Sequence, residues 1–145
     1  MENRFTANIL LCKKMGEDHQ FEDVFNNLEL EEDNITFDIG VFLTREIVES
    51  KEEMFLLSIV FEKDNERHYH PIGTMTKKFN KIGKDIEFMA FKSNKVNMHW
   101  EGLYRVDFCH CNSVQDINQL ASDELIRFIE ESTVINSFTF NVKMK

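Results

Sequence analysis

A chain of 145 residues, 42% hydrophobic and 30% charged, suits a single domain spanning 1–145 that buries roughly two-thirds of its unfolded surface without metals or crosslinks. Its formal net charge of −9 opposes non-specific binding to a phosphate backbone, which depends on Lys and Arg releasing counterions, and so argues against direct nucleic-acid binding. No apolar run approaches the roughly 18 residues of a membrane helix, and the three cysteines, Cys12, Cys109 and Cys111, match no disulfide framework, which points to a cytoplasmic, reducing setting with no membrane role.

Alternation at period two, the mark of strands whose successive side chains face opposite ways, runs through most of the chain. FTANILLCKKM reads as the first strand. The next stretch, Glu17 to Asp33, holds eight acidic residues and no Lys or Arg. They are Glu17, Asp18, Glu22, Asp23, Glu29, Glu31, Glu32 and Asp33. Within it HQFEDVFNNLEL is ambiguous: Phe21, Val24, Phe25 and Leu28 suit a helical face, yet VFNNLEL also suits a short strand.

In ITFDIGVFLT, Ile35, Phe37, Ile39, Val41 and Leu43 share one face of a half-buried strand. MFLLSIVFEK repeats the pattern with Phe55, Leu57, Ile59 and Phe61 in phase. The turn KDNE then leads into RHYHPIGT as a returning strand, where Pro71 marks an edge or a bulge. A lysine-rich block follows: Thr74 to Lys95 holds six Lys against Asp85 and Glu87. DIEFMAF and GLYRVDF are two further strands, and INSFTFNVKMK closes the chain with Phe138, Phe140 and Val142 on one face.

One later region reads as helix, an insertion over about 113–131 in which Ser122 is placed to cap and Leu125, Ile126, Phe128 and Ile129 form the apolar stripe. Trp100, just before the GLYRVDF strand, is expected to be enclosed, with Gly102 making the turn. Together these elements predict an all-β, mainly antiparallel two-sheet β-sandwich of seven or eight strands with one helical insertion before the last strand.

The order of ANILLCKKM, FEDVFNNLEL, a long central strand pair, and GLYRVDF answered by SFTFNVK resembles a group of small bacterial and phage proteins with a C2-like β-sandwich fold and no assigned activity. The resemblance implies a fold and supplies no catalytic residues. It departs from this sequence at Asn112 to Ser132, where a helix stands in place of a short hairpin turn.

Candidate chemistry is sparse. In DFCHCNS, a strand places Cys109 and Cys111 on one face and His110 on the other. Alternate strand positions lie nearly 7 Å apart, too far for two thiolates to close comfortably on one tetrahedral zinc. RHYH sets His68 and His70 on one face, but the spacing names no third ligand. The turns LEEDN and EKDNE could hold calcium only if brought together. No nucleophile elbow or phosphate-cradling glycine loop is present.

The expected function is therefore a non-catalytic protein-binding module, with no cofactor and no metal site, acting through the acidic Glu17 to Asp33 segment, with the inserted helix as a second candidate surface. Self-association is compatible with the sequence. Two other readings stand beside it: a phage-type acidic inhibitor that occupies a basic nucleic-acid-binding groove, and a metal-dependent enzyme using His68, His70, His110 and the cysteines.

Overall fold

The computed structural model of the chain describes residues 5–15, 21–30, 34–45, 53–62, 71–79, 87–98 and 100–144. These form nine strands: β1 (Phe5–Met15), β2 (Phe21–Val24), β3 (Asn27–Leu30), β4 (Asn34–Arg45), β5 (Glu53–Glu62), β6 (Pro71–Phe79), β7 (Glu87–Asn97), β8 (Gly102–His110) and β9 (Thr133–Met144). A 3-10 turn (Ile117–Gln119) and helix α1 (Ser122–Glu131) stand between β8 and β9. One sheet has the order β2-β1-β4-β7 and the other β3-β9-β8-β5-β6. Every pairing is antiparallel except β3 on β9. The all-β sandwich with a helix before its last strand is thus the observed fold.

Period two decides which side chains meet between the sheets. Phe37, Ile39, Val41 and Leu43 of β4 face Phe55, Leu57 and Ile59 of β5, Tyr104, Val106 and Phe108 of β8, and Phe140 and Val142 of β9 in one core. Aromatic rings fill much of it: Phe55 stacks on Phe108 at 5.4 Å, and Phe37 meets Phe140 edge-on at 6.2 Å.

The ambiguous stretch resolves as two short strands in different sheets, which raises the strand number above the expected seven or eight. Asp23, at φ 56°, interrupts the extended backbone within β2, and Phe25 anchors the crossing. Its amide donates to the Leu11 carbonyl at 3.0 Å while its ring lies 5.7 Å from Phe37 and 6.3 Å from Phe140. The chain then joins the opposite sheet, where the Asn141 amide donates to the Asn26 carbonyl at 2.9 Å. A helical face and a sheet-switching strand both need apolar residues near Phe25, so periodicity alone did not separate them.

β5 is buried on both faces. Its second face, Met54 and Leu56, joins Cys109 and Cys111 beneath Phe128 and Ile129 of α1. Asn112 fastens the other end of the insertion, donating from Nδ2 to the Glu131 carbonyl at 2.7 Å. The expected stripe needs one correction: Ile126 is exposed, whereas Leu125 packs at the cluster's margin. Positions 125, 128 and 129 follow the i, i+3, i+4 spacing of one helical face, and 126 falls off it. The N-cap is Ala121, with no side-chain cap, so Ser122 is the first helical residue and not the cap.

β6 begins at Pro71 beside a register shift at Val60 and lies at the sheet border, as expected of that proline. Gly102, at φ +128°, makes the turn into β8. Trp100 is not enclosed: it is 51% exposed, stacked on Phe61 at 5.1 Å, and its carbonyl accepts the Tyr104 hydroxyl at 2.7 Å. The rim of the sandwich packs Phe61 against the indole and leaves about half of the residue exposed.

Two measurements check this packing. Phe128→Ala is expected to cost about 3 kcal/mol in denaturant melts, the low end for a buried aromatic. Ile126→Ala should stay within about 0.5 kcal/mol, as for a surface change, and equal costs would contradict the docked face. Iodide should quench native tryptophan emission strongly; protection equal to that of a buried indole would overturn the exposed placement of Trp100.

Candidate interaction surface

The strand orders give the sandwich two side borders of different composition. β2 and β3 each end a sheet and are joined by three-residue spacing at the crossing, so both lie along one side. β6 and β7 end the same two sheets on the other side. Glu22, Asp23 and Glu29 of the acidic run therefore lie on one border, and Lys77, Lys78, Lys92 and Lys95 of the lysine block on the other.

On the acidic border, β3 alternates Asn27 and Glu29 outward with Leu28 and Leu30 in the core. Glu29 is exposed and stands in register with Lys143 of β9. Asp23 is exposed at its left-handed backbone position, a conformation that Asp and Asn tolerate better than most residues. Glu22 lies in β2 in register with Lys14. Glu17, Asp18, Glu31, Glu32 and Asp33 lie outside the described residues. On the other border, Lys78 and Lys92 are exposed, and the Lys77 ammonium sits 5.3 Å from the centre of the Phe91 ring, closing the core between β6 and β7.

The helix offers a second, smaller feature. A shallow depression of about 210 Å³ runs between α1 and the segment before it, with Leu120 and Phe128 beside Glu124, Arg127 and Glu131. These three charged residues are exposed.

The cysteines and histidine of DFCHCNS separate as the strand pattern predicts. Cys109 and Cys111 lie under α1, and the Cys111 amide donates to the Met54 carbonyl at 2.9 Å. Burial pushes the Cys109 thiol from an ordinary 9.0 up to about 12, with the Asp107 carboxylate and Cys111 adding and Arg105 opposing. Burial likewise pushes Cys111 up to about 11, against a hydrogen bond from Ser132. Cys12 is raised by burial and then by Asp38. All three are free thiols, and with their pKa values raised above 9.0 they are protonated at neutral pH, whereas the thiolate is the nucleophile.

His110 faces the other way. Its ring lies 4.8 Å from Phe5 and 5.4 Å from Phe55, and Nε2 is 2.5 Å from Oε2 of the buried Glu53. This pair escaped the sequence reading, although the signal was there: Glu53 is two residues before Phe55 and so in phase with the core face. A second buried carboxylate, Asp107, accepts from Arg105 Nε at 2.7 Å and from the Ser137 hydroxyl at 2.6 Å. Arg105 and Asp107 share a strand face by their spacing of two.

Among the described residues no group of three His, Cys, Asp or Glu side chains is placed to hold a metal ion. His68, His70 and most of the turns considered for calcium lie outside those residues. No described helix is long and apolar enough to cross a membrane. Comparison with known proteins finds neither a family model nor a curated relative that matches the chain.

The raised thiols set a pH dependence. Cys109 and Cys111 keep their protons to about 12 and 11 in the fold, against 9.0 for an ordinary thiol. Their contribution to stability is therefore complete below pH 9 and is lost as pH rises through the folded values, because the unfolded chain sheds those protons first. The stability advantage of the parent over a Cys109→Ala, Cys111→Ala double variant should shrink from pH 8 to about 10.5 in urea melts. An advantage that grows over that range would contradict the buried, protonated thiols.

Proposed function

We propose that the chain is a non-catalytic protein-binding module that engages a basic protein surface through its β2–β3 border. The observation that carries this reading is the strand order, which sets the exposed Asp23 and Glu29 on one border and the exposed Lys78 and Lys92 on the other. Exposed carboxylates at fixed positions speed encounter with an oppositely charged surface and disfavour like-charged ones. Asp23 and Glu29 present carboxylates from backbone that is hydrogen-bonded into the sandwich nearby, through Phe25 and Asn141. Such carboxylates lose little freedom on binding, which favours affinity.

The thiols support a structural part for the cysteines. Protonated and packed against Met54, Leu56 and Phe128, Cys109 and Cys111 serve as small apolar groups beneath the helix.

The test neutralises the border. In affinity capture from a cell extract, the parent should retain basic proteins that elute with salt, and a variant carrying Asp23→Asn, Glu29→Gln, Glu31→Gln and Glu32→Gln should lose them while melting like the parent. Asparagine is chosen at 23 because it too tolerates the left-handed backbone there. Retention of the same proteins by both chains would remove the acidic border from the account. Stoichiometric zinc or iron in the purified protein would instead favour the metal-dependent reading.

A further inference from the structure

Trp100, the chain's single tryptophan, is 51% exposed, yet the turn that carries it is fixed at three successive residues. The indole stacks on Phe61, with ring centres 5.1 Å and planes 19° apart, and the Trp100 carbonyl accepts the hydroxyl of the fully buried Tyr104 at 2.7 Å. The next side chain, Glu101, accepts the Met144 amide on Oε1 at 2.7 Å. Gly102 then takes φ +128°, a conformation open to glycine. An aromatic surface held in this way loses little freedom when a partner covers it.

Strand register brings the turn close to the acidic border. Gly102 pairs with Val142 of β9, and Val142 pairs on its other flank with Leu28 of β3. The turn and β3 therefore flank the end of one strand, two strand spacings or about 10 Å apart. Glu101 on one flank and Glu29 on the other are both exposed, and Lys143, also exposed, is in register with Glu29 on the strand between them. These three residues place two carboxylates and one ammonium beside the half-exposed indole.

We infer that Trp100 and Glu101 receive an arginine side chain of the partner, its guanidinium lying over the indole and its N–H groups turned to the Glu101 carboxylate. The inference rests on the reading of the chain as a binder of basic proteins and gives that reading a docking residue.

The chemistry of the site selects this occupant. An indole face carries the negative part of the ring quadrupole and attracts a cation, tryptophan most strongly among the aromatic residues. A guanidinium is planar, so it stacks on the ring while its edge still donates hydrogen bonds to a carboxylate alongside. The Met144 amide uses Oε1 of Glu101 and leaves Oε2 to accept from the partner. An apolar side chain would cover the ring but leave the carboxylate unanswered, and an anionic one would be repelled by Glu101 and Glu29. Tryptophan and arginine are also the residue types that most often dominate protein interfaces.

The single indole reports its own occupancy. An oligo-arginine peptide titrated into the full chain at about 0.15 M salt should change tryptophan emission to saturation, with the same dissociation constant by calorimetry. Trp100→Ala should weaken the peptide about tenfold in calorimetry, and Trp100→Phe should recover part of that loss. Glu101→Gln keeps an acceptor for the Met144 amide while removing the charge, and should weaken binding about fivefold. Thermal melting certifies the fold of each variant. An oligo-lysine peptide should bind more weakly, since an ammonium has no plane to stack. An oligosaccharide or a neutral peptide that changes the emission with equal affinity overturns the inference. Arginine-peptide binding that is lost with Asp23→Asn and Glu29→Gln but indifferent to Trp100→Ala overturns it too, while leaving the acidic border standing. A parent that does not bind the peptide, or binding indifferent to all these substitutions, removes both.

Discussion

Burial of β5 on both faces is the constraint on which the rest of the structure depends. A strand in a two-layer sandwich ordinarily shows one face to the core and one to water. β5 instead carries Phe55, Leu57 and Ile59 on one side and Met54 and Leu56 on the other, all fully buried. The first set requires the second sheet. The second set requires a cover, which the insertion before β9 supplies through Phe128 and Ile129. The helix is thus part of the fold's apolar closure, and its exposed charges face solvent beside only a shallow depression.

With one sheet face closed by the helix, the proposed contact surface lies elsewhere. Topology decides where. The crossing at Phe25 carries the chain from one sheet to the other within a few residues, so Glu22, Asp23 and Glu29 stay on one border. Lys77, Lys78 and Lys92 lie on the far border, where the Lys77 amine over Phe91 joins the two sheets.

Much of this was legible in the alternation of apolar residues. The core faces of β4, β5, β8 and β9 follow from period two, as does the separation of His110 from Cys109 and Cys111. What was not legible depended on partners remote in sequence. Ile126 looks as apolar as Ile129, and only the direction from which the sheet approaches α1 excludes it. Trp100 carries a burial expectation from its size, but at the rim of the sandwich it stacks on Phe61 and stays 51% exposed. The split of 21–30 between two sheets leaves no mark in periodicity, since a helix and a crossing strand both place Phe25 and Leu28 inward. The acidic residues were visible as a run, but their common border emerged only from the strand order, and that order sets Glu29 beside Lys143 from the far end of the chain.

Native-state hydrogen exchange tests the central claim most directly. If β5 is held from both sides, the amides of Phe55 to Val60 should exchange only through global unfolding, and removing the helix contact with Phe128→Ala should lower their protection together with that of their β8 partners. Amides of β5 that exchange through a small local opening, or that keep full protection when Phe128 is truncated, would contradict a fold closed by the helix over a doubly buried strand.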